Sequence, residues 1–315
     1  MNSNKKYISI VIPVYNGSSS IKKIVEELIE KLMPSYKLEI VLINDNSLDN
    51  SEEVCIKLFE KYPAIVRFYS LAKNVGEHNA VMAGLNYAAG DIIIIMDDDF
   101  QNPISEVEKL VEYMHNNNYD VVYTYYDDKK HSFFRNIGSK FNDRVANLML
   151  KKPKDLYLSS FKGINRFLVN EIIKYNLPFP YIDGLVLRTT SNIGKIKVEH
   201  HERATGKSNY TLKKLFSLWL NMFTNFSILP LRISIIVGFI FSIIGFILGF
   251  ITVVEKILNP DVPLGYTSLF FAISLFAGIQ LIAIGMIGEY IGRIFLSQNK
   301  KPQYSVRKTY SSAEE

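Results

Sequence analysis

Over its first 125 residues the chain alternates short apolar runs with longer stretches in which apolar positions recur every three or four residues. The runs at residues 7–14, 38–43, 65–69, 92–96 and 120–124 are rich in β-branched and aromatic residues and are bounded by turn formers, so they read as strands. The stretches at 18–32, 51–61, 77–88 and 103–115 read as helices, the first opened by a serine cap and carrying "IKKIVEELIEKL". Strand and helix in alternation predict a doubly wound α/β fold with a mostly parallel sheet. The run Ile92 to Met96 is apolar on both faces, as expected of an interior strand of such a sheet.

The pattern changes after residue 230. Residues 231–254, "LRISIIVGFIFSIIGFILGFITVV", are nearly uncharged, and as a helix they reach about 36 Å, enough to cross a bilayer. A second apolar segment follows at 267–288, after a short polar link. The two predict a membrane hairpin over 230–296; a pair of buried core helices is the alternative. Gly245 with Gly249, and Gly288 with Gly292, have the spacing that lets membrane helices approach closely. Lys213, Lys214 and Arg232 precede the hairpin and Arg293, Lys300, Lys301, Arg307 and Lys308 follow it, so the positive-inside rule puts residues 1–209 and the basic tail 297–315 in the cytoplasm. The end of that tail is expected to be partly disordered. Residues 210–229, mixing lysines with Leu, Phe and Trp219, read as an amphipathic helix at the interface or as a soluble core helix.

Charge and cysteine content narrow the chemistry. The formal net charge is +5 and Cys55 is the single cysteine, which excludes an internal disulfide and a cysteine metal cluster. The N-terminus runs straight into a strand with no signal peptide visible. Nucleic acid is not an expected partner. The strands of a doubly wound sheet end at a rim where ligands bind. Four polar loops should share that rim: "YNGS" at 15–18, "NDNS" at 44–47, "KNVGEHN" at 73–79 and "DDDFQ" at 97–101. Three adjacent carboxylates repel one another unless a cation or hydrogen bonds compensate them. Hard oxygen ligands of this kind suit Mg²⁺ or Mn²⁺; a turn and helix start at Asn102-Pro103, with Glu106 following, is the plainer alternative. Neither GxGxxG nor GxxxxGK[ST] occurs, which weakens dehydrogenase and P-loop readings.

The pieces "SIVIPVYN" at 9–16, "INDNSLDNS" at 43–51, "KNVGEHNAVMAGLNYAAGD" at 73–91, "MDDDFQNP" at 96–103, "FFRNIGSKF" at 133–141 and "VEHHERATGKSNYTLKKLFSL" at 198–218, followed by a two-helix end with "GEYIGRIF", cover almost the whole chain. In that order they resemble the family 2 GT-A glycosyltransferases of the polyprenyl-phosphate sugar synthase type, and within these look most like the bacterial undecaprenyl-phosphate aminoarabinose transferases, although glucose-transferring relatives share most pieces. The resemblance implies that Asp97 and Asp99, with Gln101 beside them, hold the metal that bridges a nucleotide-sugar diphosphate. Asp98 and Asn74 would join the donor site, Asp45 would meet the base or ribose, and Pro13, Tyr15 and Asn16 would wall the nucleoside. Arg135, Ser139, Arg203, Lys207 and Ser208 would gather the phosphate of a polyprenyl-phosphate acceptor. The chain departs from the family's usual residues at Asn44, Asp98, Tyr126 and Lys162.

The implied reaction is transfer of one sugar, with inversion, to a lipid phosphate at the bacterial inner membrane. A phosphate monoester, with a second pKa of about 6, is already anionic near neutral pH and needs no general base; were the acceptor a hydroxyl, Asp183 would be the candidate base, though it also suits a loop aspartate capping a turn. A homo-oligomer is expected, since two-span chains bury more membrane surface by self-association. The competing readings are a membrane-tethered metal-dependent nucleotidyltransferase or phosphatase, and a non-catalytic nucleotide-sugar-binding scaffold.

Overall fold

A computed structural model of the chain describes residues 5–126, 153, 156–199, 229–259, 265–299 and 302–312. The chain divides into two compact units: Met1–Thr211 with Lys301–Glu315, and Leu212–Lys300.

The first unit is built on one eight-stranded sheet. The elements begin β1 (Tyr7–Val14), α1 (Ile21–Leu32), β2 (Lys37–Asn44), α2 (Ser51–Lys61), β3 (Val66–Leu71), α3 (Glu77–Tyr87), β4 (Ile92–Ile95), α4 (Ile104–Asn117) and β5 (Val121–Tyr125). They continue with β6 (Lys162–Asn165), α5 (Arg166–Ile172), α6 (Ile182–Thr189), β7 (Ile193–Lys197) and, from the tail, β8 (Val306–Tyr310). The spatial order is β7-β5-β6-β4-β1-β2-β3-β8. β1 pairs in parallel with β2 and β4, β2 with β3, and β5 with β7, while β6 and β8 run antiparallel to their neighbours. All four isoleucines of β4 are buried, as expected of a strand covered on both faces. Helix α3 lies so close to β1 that a Cβ on Gly84 would stand 2.3 Å from the Val11 side chain, so glycine permits that approach.

One expectation needs correction, and one strand was not foreseen. The first helix starts at Ile21 rather than at residue 18, because Ser18 N–H is taken by Asp49 Oδ2 at 3.2 Å and Ser20 Oγ turns back to Gly17 O at 3.1 Å; no serine caps it with its side chain. The tail supplies a strand that the sequence reading did not name, while its end, residues 313–315, lies outside the described residues. Val306–Tyr310 pairs with β3, Tyr310 packs its ring 5.7 Å from Phe68 and 5.8 Å from Phe59, and Lys308 Nζ pairs with Glu52 Oε1 at 2.6 Å. An edge strand offers unpaired amides to any passing strand, and the tail occupies that edge on β3.

The second unit contains α7 (Leu229–Leu258) and α8 (Tyr266–Gln298). Leu231–Ile251 and Leu275–Gln298 are long and apolar enough to cross a membrane, with mean hydropathies of 2.7 and 1.6. Large apolar side chains such as Phe239, Phe246 and Phe250 stay exposed along α7, as expected of helices whose solvent is lipid. The two helices touch where Phe241 meets Phe276 edge-on at 6.4 Å, beside Gly245.

Candidate active site

The site forms where β1 outruns β4. Parallel pairing between them ends at Val11 and Ile95, with Met96 N–H still donating to Val11 O. Amides two residues apart on a strand point to the same side, so Pro13 and Tyr15 also face the gap left by β4. Proline, which has no N–H, is therefore tolerated at Pro13 within a central strand. At the next such position Tyr15 N–H donates to Asp98 Oδ2 at 3.2 Å. The Asp98 carboxylate thus continues the β1–β4 connection that the strand backbone has dropped. It lies against Gly17, where a Cβ would stand 2.2 Å from Asp98 Oδ2. Burial, with Asp97 and Asp99 adding to it, pushes the Asp98 carboxyl up to about 7 against the opposing Tyr15 N–H.

The flanking aspartates are held separately. Asp97 Oδ2 accepts from Ser160 Oγ at 2.6 Å, and Asp99 Oδ1 accepts from Gln101 N–H at 3.1 Å. Between Asp99 and Gln101, Phe100 adopts a φ of 59°, a left-handed conformation that costs a bulky residue roughly 1–2 kcal/mol. Its ring lies under Lys23 Nζ at 5.2 Å. Asn102 does not cap α4; its Oδ1 accepts from Tyr126 OH at 3.2 Å, and Pro103 heads the helix.

The other loops lock onto this centre. Asn16, at φ 57°, donates its N–H to Ser47 Oγ at 3.1 Å and accepts Leu48 N–H on Oδ1 at 2.9 Å. Asp45 is buried, and its two oxygens accept Val75 N–H at 2.7 Å and Gly76 N–H at 2.9 Å, while Asn74 Nδ2 donates to its carbonyl at 3.2 Å. Burial raises the Asp45 carboxyl and these two amides oppose the rise. Asn44 Nδ2 donates to Ser70 Oγ at 3.0 Å, and Ser70 Oγ to Glu52 Oε2 at 2.7 Å, so the tail's Lys308 reaches the rim through Glu52. The structure thus brings Tyr15, Asn16, Asp45, Asn74, Asp97, Asp98, Asp99 and Gln101 to one rim. Arg135, Ser139, Arg203, Lys207 and Ser208, the adjacent His200-His201, and residues 210–228 lie outside the described residues.

Beside Asp97 opens a cavity of about 200 Å³ that the sequence did not announce. Its walls include Glu77, His78, Ile95, Ser160, Lys162, Tyr181 and Asp183. Asp183 sits in the first turn of α6, not in a loop, and is buried: it pairs with Lys162 Nζ and accepts Tyr123 OH at 2.8 Å. A carboxylate so engaged is a poor general base. His78 meets Tyr181 edge-on at 5.1 Å, and burial pushes its imidazole down to about 4, leaving it neutral at pH 7. Ser160, Glu77, His78 and Tyr181 were missed as site residues. The only signal for the middle two was that "KNVGEHN" follows a strand; Ser160 and Tyr181 arrive from separate segments with no local motif.

Among the described residues no three His, Cys, Asp or Glu side chains gather as a metal cage. Asp97 and Asp99 nevertheless offer hard oxygen donors at the mouth of the rim, which fits a Mg²⁺- or Mn²⁺-type ion whose remaining ligands come from a diphosphate and water.

Residues 9–173 match the family model described as glycosyl transferase family 2, and residues 229–294 match that of the GtrB C-terminal hairpin. The chain is similar to the undecaprenyl-phosphate 4-deoxy-4-formamido-L-arabinose transferase of Pectobacterium atrosepticum, with 31% identity over 98% of this chain and 95% of that one. It is also similar to the protein of the same name from Yersinia enterocolitica, with 33% identity over 96% and 93%. Among solved structures, Mycobacterium tuberculosis glucosyl-3-phosphoglycerate synthase shares the fold, with a TM-score of 0.52 and 17% identity over 69% of this chain and 78% of that one. The chain belongs to glycosyl transferase family 2 and is a membrane-associated glycosyltransferase.

Proposed function

We propose that the protein transfers one sugar from a nucleotide-sugar to undecaprenyl phosphate, with inversion at the anomeric carbon, and that its relatives' substrate, 4-deoxy-4-formamido-L-arabinose, indicates the sugar class. The observation that supports this reading is the rim itself: Asp98 ties the end of β1 to the end of β4 through Tyr15 N–H, while its chain neighbours Asp97 and Asp99 are held by Ser160 Oγ and Gln101 N–H. When bound there, Mg²⁺ or Mn²⁺ would neutralise charge on the leaving diphosphate. Tyr15, partly exposed, and Asn16, with Asp45 behind them, supply the nucleoside wall. The acceptor phosphate arrives already anionic, so the locked state of Asp183 is no obstacle, and positioning of two anions is the main task. Arg135, Arg203 and Lys207, with Ser139 and Ser208, are assigned to the acceptor phosphate, for which forked guanidinium bonding is well suited.

The α/β domain and the tail share one sheet, and two membrane-length helices lie between them in the chain. An even number of crossings returns the chain to its starting side, and the flanking Lys and Arg residues favour the cytoplasm for both ends, with residues 210–229 at the interface. A homo-oligomer that covers part of the exposed helix surface is part of the same proposal.

The test is transfer of radiolabelled sugar from a panel of nucleotide-sugars to undecaprenyl phosphate by the detergent-purified full chain, with Mg²⁺, Mn²⁺ or chelator, beside Asp99→Asn. Metal-dependent, mild-acid-labile label in the lipid fraction, absent with Asp99→Asn, is the expected result. Label that persists in chelator refutes metal dependence, and consumption of donor without lipid labelling refutes the acceptor.

A further inference from the structure

The cavity beside Asp97 is joined to the metal-binding rim by three residues. Ser160 lines it and donates to Asp97, Ile95 is the last residue of β4 before the aspartates, and Glu77 lies near enough to Asp99 for the two carboxyls to interact. At about 200 Å³ it is smaller than pockets for drug-sized ligands, roughly 300–1,000 Å³, and has room for one sugar ring rather than for a nucleotide. The ring of a donor whose diphosphate is held at Asp97 and Asp99 would extend into it.

Its polar groups divide into a closed set and an open one. Lys162 and Asp183 are ion-paired with each other, and Tyr123 also donates to Asp183. Glu77 and His78, by contrast, have no hydrogen-bond partner among the described residues; burial raises the Glu77 carboxyl while the Lys162 charge opposes the rise, and His78 touches the Tyr181 ring. Polar groups facing a cavity without partners favour a ligand that supplies them. The only cation on the wall, among the described residues, is the already paired Lys162.

We infer that this cavity is the chamber for the transferred sugar, and that Glu77 and His78 select an uncharged sugar offering a hydrogen-bond donor, an amide N–H or a hydroxyl, while turning away a sugar carboxylate. The inference rests on the nucleotide-sugar reading above and adds the sugar class that its site accepts. Glu77 accepts the donor hydrogen. Neutral His78 adds a second uncharged contact. A carboxylate on the sugar would face Glu77 with no unpaired cation on the cavity wall among the described residues to offset it.

The experiment measures calorimetric affinities of the detergent-purified full chain with Mn²⁺ for UDP, UDP-4-deoxy-4-formamido-L-arabinose and UDP-glucuronate, in wild type, Glu77→Gln and Glu77→Lys. Wild type should bind the formamido-sugar nucleotide at least about 10-fold more tightly than UDP-glucuronate, the scale of one charge-assisted hydrogen bond gained against one repulsion. Glu77→Gln should weaken the first about 10-fold and leave UDP unchanged, which also reports an intact fold and metal site. Glu77→Lys should reverse the preference. Equal binding of both sugars by wild type, or an equal loss of UDP and sugar-nucleotide affinity in Glu77→Gln, overturns the inference while leaving the transferase reading in place. No binding of UDP or either sugar nucleotide by wild type overturns the donor reading and the inference with it.

Discussion

Replacing Lys162 with methionine removes the cation from the pair with Asp183, whose side chains are only 5% and 10% exposed. The stranded carboxylate keeps the Tyr123 hydroxyl at 2.8 Å but loses its counter-charge in a site with little water. Breaking a buried pair from one side costs about 3–5 kcal/mol, whereas replacing both partners with apolar groups is near neutral. At roughly 2–4 °C per kcal/mol for a domain of this size, Lys162→Met should melt about 6–20 °C below wild type. The double variant Lys162→Met/Asp183→Leu should recover most of that loss, short by the about 1–3 kcal/mol of leaving the Tyr123 hydroxyl without an acceptor. Circular dichroism of wild type, Lys162→Met, Asp183→Leu and the double variant in one detergent closes the double-mutant cycle. A single variant that melts within 2 °C of wild type, or a double variant that loses the sum of the two singles, would refute the claim that Asp183 is held by charge in a dry site.

Three further outcomes are expected. In chelator, the contribution of Asp98 to stability should be complete below about pH 4 and should disappear as pH rises through about 7, because its carboxyl is raised in the folded state relative to the unfolded chain; the melting temperature of Asp98→Asn should therefore depend less on pH than that of wild type between pH 5 and 8. Gly17→Ala places a methyl 2.2 Å from Asp98 Oδ2 and should displace the carboxylate from Tyr15 N–H, costing about 1–3 kcal/mol in a denaturant melt and weakening UDP binding; unchanged binding would show that the clamp does not shape the nucleoside wall. Tyr310→Ala removes a ring packed on both Phe59 and Phe68 and should lower stability by about 2 kcal/mol, with increased aggregation as the β3 edge is freed; a neutral result would refute a structural role for the tail strand.

What the sequence disclosed followed from local order. Strands over 7–14 and 92–95 were legible because apolar runs bounded by turn formers leave little choice, and the four loops converged on one rim because the strands they follow lie side by side. The tail strand was hidden because "VRKTY" carries two adjacent charges and no apolar run, and finds its partner on β3, more than two hundred residues earlier. An edge strand needs one apolar contact and a row of backbone bonds, neither of which a charged pentapeptide advertises. The Lys162–Asp183 pair was hidden for a related reason. It joins a strand to a helix across the cavity, and the neighbours of each residue in sequence carry no trace of the other. The sequence placed Asp98 in the donor site beside Asp97 and Asp99 because three identical residues in a row give no structural reason to set it apart; its bond to Tyr15 N–H arises because β1 outruns β4.

That separation also answers how three carboxylates can be adjacent. Were all three ionised and unpartnered, their mutual repulsion would oppose folding of the loop before any ligand arrived. Asp97 and Asp99 each accept a hydrogen bond, from Ser160 Oγ and from Gln101 N–H. Burial raises the Asp98 carboxyl to about 7, so it is partly neutral at physiological pH. The run then carries less than its full complement of three negative charges. A divalent cation balances a pair of carboxylates, with a diphosphate supplying further ligands and further charge. A permanently ionised Asp98 would add a third charge that draws the cation toward β1 and away from the cleft mouth. Asp98→Asn, neutral at every pH and still able to accept from Tyr15 N–H through its amide oxygen, should therefore keep Mn²⁺-dependent transfer within about 10-fold of wild type, whereas Asp99→Asn should abolish it. Equal loss in the two variants would mean that Asp98 is a ligand and that the division of labour inferred from strand geometry is wrong.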